Sequence, residues 1–175
     1  MEADSRRLHL RVFAKIMIGI AFFVAMYVVL AMVFGTNTGG RKLSSQLVDL
    51  SQIQPGGFEL VLWEGRPVMV YRRTGADIAL LDLPNPELLD PDSKASRQPN
   101  WANNAYRSRQ PEWFVAIGVG LDFSCPIKLV NNGFADECRG SKYDFAGRVY
   151  RQQYADENLI VPVYSITGKS LLLGS

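Results

Sequence analysis

A run of nineteen residues without a charged side chain, residues 16–34, constrains the start of this chain. The run reads IMIGIAFFVAMYVVLAMVF, and as a helix it would extend about 28 Å, close to the ~30 Å hydrocarbon core of a bilayer. A core helix of a soluble protein normally carries a polar stripe, and a cleaved signal sequence is normally shorter and ends at small residues. The run has no such stripe and continues into GTNTGG. It is therefore predicted to be a retained transmembrane helix.

Basic residues flank this run unevenly. Four precede it closely, namely Arg6, Arg7, Arg11 and Lys15, and two follow after a polar stretch, namely Arg41 and Lys42. This excess predicts a single-pass protein with a cytoplasmic N-terminus. The segment SRRLHLR, residues 5–11, resembles the twin-arginine export signal, the alternative being a basic flank without that role. Both interpretations give the same topology, and the export signal, which acts at the bacterial inner membrane, places the C-terminal domain in the periplasm.

The predicted organisation has four parts. Residues 1–15 form the cytoplasmic N-terminus, 16–34 the transmembrane helix, 35–42 a flexible tether and 43–175 one periplasmic domain. The tether is predicted because its GTNTGG stretch has no apolar side chain and three glycines. The domain is long enough to enclose a hydrophobic core of its own.

The pattern of the domain is typical of a mostly β fold. Apolar and alternating segments predict six strands, at 58–63, 67–72, 113–121, 147–154, 159–167 and 170–174. The short connection EGR predicts a hairpin between the first two, and Pro162 marks a strand end or a sheet edge. The polar, proline-rich segment 84–112 is long for a loop without structure, so a short helix near 86–89 or packing on a partner is expected.

The counts of cysteine and histidine limit the metal chemistry. The chain has two cysteines, Cys125 and Cys138, and one histidine, His9. Because His9 lies far from the domain in sequence, the domain alone cannot supply a four-ligand site of cysteine and histidine. The net charge of +2 gives no basic footprint, so no nucleic-acid partner is expected. The domain also has no haem-attachment motif and no glycine-rich phosphate loop.

Two segments carry a resemblance to a known family. LVLWEGRPVMVYRRT, residues 60–74, and DPDSKASRQPNWANNAYRSRQPEWFVAIGV, residues 90–119, are similar to the Rieske iron–sulfur proteins of cytochrome bc-type quinol:cytochrome c oxidoreductases. The export signal, the anchor and the glycine-containing tether fit the same family in order and spacing. The resemblance implies a Rieske-like antiparallel β-sandwich with a small loop subdomain, preceded by one transmembrane helix.

The two cluster-binding loops of that family are altered in this chain. The family's first loop, Cys-Thr-His-Leu-Gly-Cys, corresponds to GLDFSC at 120–125, and its second, Cys-Pro-Cys-His-Gly-Ser-x-Tyr-Asp, corresponds to DECRGSKYD at 136–144. The four positions that hold iron in the family are occupied here by Gly120, Asp122, Asp136 and Arg139. A Rieske centre needs two thiolates and two imidazoles, which these side chains cannot replace. No [2Fe–2S] cluster, and no other cofactor or metal, is therefore expected.

The remaining cysteine of each loop is kept. In the family these two cysteines form a disulfide, so the resemblance implies a Cys125–Cys138 bond, the alternative being two buried free thiols. Such a bond would contribute about 3 kcal/mol and needs an oxidising compartment. Loop residues that match the family at the second loop are expected to act in packing and local hydrogen bonds: Gly140, Ser141, Tyr143 and Asp144. The family's proline-rich loop falls at 151–155, where the chain reads RQQYA.

The altered ligand positions raise the question of what fills the site. An ion pair or forked hydrogen bonding between Arg139 and the carboxylates of Asp122 and Asp136 is expected to fill it. The alternative is a divalent cation held by Asp122, Asp136 and Glu137, since oxygen ligands suit calcium or magnesium. The positive charge of Arg139 opposes that alternative.

The resemblance implies a function without catalysis. The chain is expected to be a cluster-less subunit with a structural, assembly or regulatory role in a bacterial respiratory complex. Its expected partners are membrane lipid and membrane-embedded subunits of a cytochrome b/c-type complex or a terminal oxidase, with segment 84–112 as a candidate contact. The alternatives are an electron-transferring Rieske subunit and a free periplasmic assembly factor.

Overall fold

A computed structural model describes residues 2–34, 44–120 and 124–174 of the chain. The chain divides into two compact units, Met1–Lys42 and Leu43–Ser175. The predicted tether, residues 35–42, lies outside the described residues, and so does Asp122.

The first unit contains one long helix, α1 (Glu2–Phe34). Its stretch Arg11–Ala31 is long and apolar enough to cross a membrane. The helix begins well before the predicted span at residue 16, because the preceding segment has no glycine or proline and consists largely of good helix formers. The twin-arginine-like segment is therefore helical as well.

The second unit is mostly β, as predicted. Its described residues form nine strands, namely β1 (Gln46–Asp49), β2 (Phe58–Trp63), β3 (Arg66–Arg72), β4 (Trp113–Ile117), β5 (Ile127–Val130), β6 (Gly133–Asp136), β7 (Lys142–Tyr143), β8 (Tyr164–Thr167) and β9 (Ser170–Leu173). The strands form three antiparallel sheets with the orders β1–β9–β8, β2–β3–β4 and β5–β6–β7.

The predicted hairpin joins β2 and β3. Trp63 pairs with Arg66, so the connection consists of the two residues Glu64 and Gly65. Their φ angles are 52° and 72°, a left-handed pair that suits the twist of a tight hairpin and that glycine adopts without strain. The bounds of β2 are as predicted, and β3 begins one residue earlier than predicted.

A short helix, α2 (Gly75–Leu81), follows β3 and was missed by the sequence analysis. Thr74 and Asp77 form a capping box, in which the Asp77 N–H donates to Thr74 Oγ1 at 3.2 Å and the Thr74 N–H donates to Asp77 Oδ2 at 2.7 Å. The Tyr71 hydroxyl also donates to Asp77 Oδ2, at 2.8 Å. The sequence signal was a threonine followed three residues later by an acid.

Two sequence predictions of local structure are wrong. Segment 147–154 is not a strand: only Val149 and Tyr150 form isolated bridges, and the Val149 N–H donates to the side chain of Asn158 at 2.8 Å. The helix expected near 86–89 is absent, since Leu88 there is bridged to Tyr150. Within 84–112 the helical element is a 3-10 turn, Asn100–Ala102.

Two predicted strands are also shorter than expected. The run predicted at 113–121 ends as a strand at Ile117, and the one predicted at 159–167 begins as a strand at Tyr164, two residues after Pro162. Proline has no N–H for a sheet ladder, which accounts for the later start.

An aromatic cluster joins two of the sheets in the hydrophobic core. Phe134 of β6 is fully buried and its ring centroid lies 5.5 Å from that of Tyr71 in β3 and 5.6 Å from that of Phe114 in β4. The ring of Phe145 lies 6.3 Å away on another side. Because β6 leads directly into the second altered loop, this packing fixes the position from which that loop begins.

Candidate functional site

A disulfide between Cys125 and Cys138 joins the two altered loops, as predicted. The Cα atoms are 5.7 Å apart, and the two residues are separated by 13 positions in the chain. Cys125 is 4% exposed, whereas Cys138 is exposed. The carbonyl oxygen of Cys125 accepts a hydrogen bond from the Gly120 N–H at 2.8 Å. The first loop is therefore closed at its base by this backbone bond and tied to the second loop by the disulfide.

The carboxylate of Asp136 organises the second loop. Its Oδ1 accepts hydrogen bonds from the N–H groups of Cys138 at 3.1 Å, Arg139 at 2.6 Å and Gly140 at 3.2 Å. Its Oδ2 accepts one from the Ser141 N–H at 2.8 Å. Asp136 is 7% exposed, so four consecutive donors of the loop converge on one buried carboxylate.

This arrangement favours the ionised form of Asp136. Burial alone raises the pKa of a carboxyl group, but the hydrogen bonds donated by the loop, led by the Arg139 N–H and by Ser141, outweigh it. The pKa of Asp136 is therefore held below its ordinary value. The side chain supplies a fixed negative charge at the point where the loop amides converge.

The expected ion pair between Asp136 and Arg139 is wrong, because Asp136 uses its oxygens on backbone amides. Arg139 contributes its N–H to that set, while its guanidinium carbon lies 5.1 Å from the centroid of the Tyr154 ring. Glu137 is directed instead to Lys128, with 3.9 Å between Oε1 and Nζ. Any part that Asp122 plays falls outside the described residues.

Ser141 and Tyr143 anchor the exit of the loop. Ser141 is buried, and its hydroxyl oxygen accepts a hydrogen bond from the Ala155 N–H at 3.1 Å. Tyr143 is buried and pairs with Phe134 across β6 and β7. Gly140, with a φ of 71°, makes the left-handed turn between Asp136 and β7. The segment RQQYA thus folds against the altered loop through Tyr154 and Ala155.

Asp144 closes a second, neighbouring turn. Its Oδ1 accepts the N–H groups of Ala146 at 2.9 Å and Arg148 at 2.8 Å, and its Oδ2 accepts from Arg148 Nε at 2.7 Å. Both members of this ion pair are buried. Gly147 lies inside the turn with a φ of 67°, and a Cβ atom there would stand 2.6 Å from the Phe114 ring.

The space between the two loops is small. The cavity bounded by Gly120, Cys125, Asp136, Arg139, Ser141, Tyr143 and Ala155 has a volume of about 10 Å³. That is about enough for one water molecule. The possible metal ligands among the described residues at this cavity are a carboxylate that already accepts hydrogen bonds from the loop amides and two sulfurs that are bonded to each other. These residues do not fit a Rieske centre, which requires two free thiolates and two imidazoles.

No divalent cation site is formed by the described residues either. Among residues 2–34, 44–120 and 124–174, no three aspartate, glutamate, cysteine or histidine side chains lie close enough together to hold a metal ion. The alternative with Asp122 as a third ligand depends on a residue outside that part of the chain.

Two buried arginines near the site were missed by the sequence analysis. Arg73 is 2% exposed and donates to the carbonyl oxygens of Phe145 at 2.9 Å, Pro111 at 2.8 Å and Tyr106 at 2.6 Å. It also donates to the Ser108 hydroxyl at 3.2 Å. Burial lowers the pKa of Arg73 to about 10, so the guanidinium remains charged at neutral pH.

Arg107 is the second of these arginines. It is fully buried and donates to the Gln98 side chain at 2.7 Å and to the carbonyl oxygens of Ala146 and Gly147 at 3.1 Å and Leu159 at 2.7 Å. Burial lowers its pKa to about 10 as well. No sequence signal marks such residues, since arginine is rarely buried and the carbonyls that it serves are distant in the chain.

These arginines change the interpretation of segment 84–112. Both connect it to the turn at 145–147, which precedes the rest of the C-terminal region. The segment is thus an integral part of the domain. Its use as a contact for a partner remains a prediction about its exposed residues.

No protein-family model matches the chain, but curated proteins do. The ubiquinol–cytochrome c reductase iron–sulfur subunit of Allochromatium vinosum is 34% identical over 137 residues, which cover 71% of this chain and 66% of that protein. The cytochrome b-c1 complex subunit Rieske-1 of Nicotiana tabacum mitochondria is 41% identical over 135 residues, covering 75% and 48%. The corresponding Rieske subunit of Zea mays is 40% identical over 135 residues, covering 75% and 45%. The chain thus spans about two thirds of the bacterial relative and about half of the plant relatives.

Solved structures give a more distant likeness. A chain of a hyperthermophilic respiratory Complex III is 18% identical with a TM-score of 0.47, covering 87% of this chain and 92% of that chain. The ferredoxin of carbazole 1,9a-dioxygenase from Nocardioides aromaticivorans IC177 is 10% identical with a TM-score of 0.43, covering 73% and 93%. At these scores the structural likeness carries no weight beside the sequence relatives.

Proposed function

The chain belongs to the Rieske iron–sulfur subunit family, and from this premise we propose that it is a subunit of a respiratory complex that holds no iron–sulfur cluster of its own. Its role is structural, in assembly or in regulation, and not catalytic. The relatives support the choice of complex, because they are named as subunits of ubiquinol–cytochrome c reductase and of cytochrome b-c1 complexes. The partners are accordingly the membrane-embedded subunits of such a complex.

One observation carries the proposal that the cluster is absent. The loop amides that converge at the site are already saturated by the carboxylate of Asp136, and the two remaining sulfurs are joined as a disulfide. The hydrogen bonds that the N–H groups of the second loop can donate are therefore already accepted by an anionic side chain of the same loop. Iron would have to displace this carboxylate and break the disulfide, and would then still lack imidazole ligands in the domain.

The proposed location is the bacterial inner membrane, with a cytoplasmic N-terminus and a periplasmic domain. The stretch Arg11–Ala31 supports a single crossing by its length and composition. The basic residues that precede it support this orientation. The disulfide supports it as well, because disulfides persist in the periplasm and are rare in the cytosol.

Iron analysis and electron paramagnetic resonance test the absence of the cluster. The affinity-tagged full chain is purified from its native membranes in a mild detergent. A portion is then separated from co-purified subunits in a stronger detergent, and iron and acid-labile sulfide are measured per isolated chain. We expect less than about 0.1 iron per isolated chain, and no Rieske signal from the dithionite-reduced isolated chain. Two irons per isolated chain, or a Rieske signal from it, would restore the electron-transfer function.

Co-purification tests the subunit role separately. Visible difference spectra of the same tagged preparation are expected to contain b-type and c-type haem in a fixed ratio to the chain. Release of the chain without haem-bearing subunits under conditions that keep the complex intact would instead support a free periplasmic assembly factor.

A further inference from the structure

A wide groove lies along the sheet β5–β6–β7. Its volume is about 1140 Å³. It is bounded by this sheet, by the chain at 150–153 and by Pro86 and Glu87. The groove adjoins the site between the altered loops, because Lys142 and Tyr143 of the second loop and residues 151–153 line it, and Tyr143 also borders the small cavity.

The strand register places two lysines on the floor of this groove. Lys128, Ala135 and Lys142 are directly paired across the three strands, so their side chains project from the same face of the sheet. The adjacent row contains Phe134 and Tyr143, which are buried in the core, so the lysine row faces outward. Two strand spacings separate the lysines by about 10 Å, and the small side chain of Ala135, which is buried, lies between them.

A third cation stands at the edge of the groove. Nε of Arg151 donates to the carbonyl oxygens of Pro86 and Leu88, both at 3.1 Å, which holds the guanidinium in place. The one carboxylate among the described lining residues is that of Glu87. The remaining polar lining consists of four amide side chains and two tyrosines: Asn131, Asn132, Gln152, Gln153, Tyr143 and Tyr150. The groove is therefore positively charged and rich in hydrogen-bond donors.

The two lysines are not neutralised by strong ion pairs. Lys128 lies 3.9 Å from Glu137, and both side chains are about half exposed, a geometry that contributes little in water. Lys142 is exposed, and within the described part of the chain no carboxylate lies within 4.0 Å of its Nζ. Both ammonium groups are thus available to an external anion.

We propose that this face binds an extended acidic segment of a partner protein. Side chains two positions apart in an extended chain lie about 7 Å from each other on one side, so alternate carboxylates fall within reach of both lysines. The inference rests on the proposed function, which supplies a partner, and extends it by giving the chemistry of the contact surface.

Peptide binding to the full chain in neutral-detergent micelles tests the proposal. The probe is a fluorescein-labelled octaglutamate, and the control probe is octaglutamine of the same length, both followed by fluorescence anisotropy. We expect octaglutamate alone to bind, with an affinity that falls as ionic strength rises from about 50 to about 300 mM. Replacing both lysines, Lys128→Gln with Lys142→Gln, is expected to weaken binding about tenfold.

A matched variant controls for net charge. Lys94→Gln combined with Lys169→Gln removes the same two charges from other exposed positions and is expected to change the affinity less than about twofold. Circular dichroism verifies that both double variants are folded. Equal binding of octaglutamine, or equal weakening in the two double variants, would overturn the proposal.

The native complex provides a second measurement. A zero-length carbodiimide links lysine amines to carboxylates in contact, and mass spectrometry of the purified complex identifies the linked peptides. Links from Lys128 or Lys142 to an acidic segment of another subunit are expected, and links confined to Lys94 and Lys169 would refute the proposal. Retained haem co-purification without peptide binding rejects only this inference, whereas peptide binding without co-purification rejects only the proposed function.

Discussion

Replacing Asp136 by asparagine tests the account of the altered loop most directly. The amide has nearly the same shape as the carboxylate, but it has one acceptor oxygen instead of two and no charge. If the amide oxygen takes the place of Oδ1, the amide nitrogen faces the N–H of Ser141, so that two donors oppose each other. The three bonds at Oδ1 also become neutral hydrogen bonds, which are weaker than charged ones.

The expected loss of stability follows from these contacts. An unsatisfied buried donor costs about 1–3 kcal/mol, and three hydrogen bonds that lose their charge weaken by a further fraction of a kcal/mol each. Because the loop relaxes in part, we expect Asp136→Asn to lower the free energy of unfolding by about 2–4 kcal/mol. For a domain of this size that corresponds to a decrease in melting temperature of about 6–15 °C.

Thermal and guanidinium unfolding of the full chain in micelles, followed by near-ultraviolet circular dichroism, measures this loss. The disulfide is kept oxidised throughout. The matched control is Asp92→Asn, which removes a carboxylate from an exposed pair with Lys94. The control is expected to change stability by less than about 0.5 kcal/mol, since surface ion pairs contribute little.

The pH dependence gives an independent check. Because the pKa of Asp136 is lowered in the folded chain, its ionised form stabilises the fold above the pKa of the unfolded chain, about 3.9. That contribution is complete at neutral pH and is lost as the pH falls through the folded pKa. The gap between the parent chain and Asp136→Asn should therefore be widest near pH 7 and narrow below about pH 4. A variant that unfolds like Asp92→Asn at pH 7, or a gap independent of pH, would refute the reasoning.

Three further variants probe other contacts. Arg73→Met removes the donor to two buried and two part-buried acceptors and should lower the free energy of unfolding by about 3–5 kcal/mol in guanidinium titrations. Gly147→Ala places a methyl group against the Phe114 ring at a left-handed φ and should cost about 2–4 kcal/mol in the same assay, whereas a loss below 1 kcal/mol would contradict that packing. Cys125→Ser with Cys138→Ser should cost about 3 kcal/mol while leaving the iron content of the purified chain unchanged.

The β2–β3 hairpin was predicted correctly because it is determined by residues that lie close together in the chain. The β2–β3 hairpin follows from two apolar runs and a connection with glycine, and both determinants lie within fifteen residues. The strand predicted at 147–154 does not form. The alternation of apolar and polar residues in this segment does not show which acceptors its backbone N–H groups will find. One of them donates to the Asn158 side chain and another, that of Arg151, to the Glu87 carbonyl, 64 positions away.

The site was predicted only in part. The resemblance predicted the Cys125–Cys138 disulfide, but charge type alone suggested that Asp136 pairs with Arg139. A sequence does not show where backbone N–H groups will point. The four N–H donors of residues 138–141 were therefore not predicted. A signal did exist, because an aspartate followed by a short turn with glycine commonly accepts hydrogen bonds from the amides that follow it.

The four amides that converge on Asp136 all lie within five positions of it in the chain. The loop therefore acquires its shape from hydrogen bonds within one short segment of the chain. The proposed function without a cluster accordingly predicts that maturation of the chain proceeds at the same rate in iron-starved and iron-replete cells.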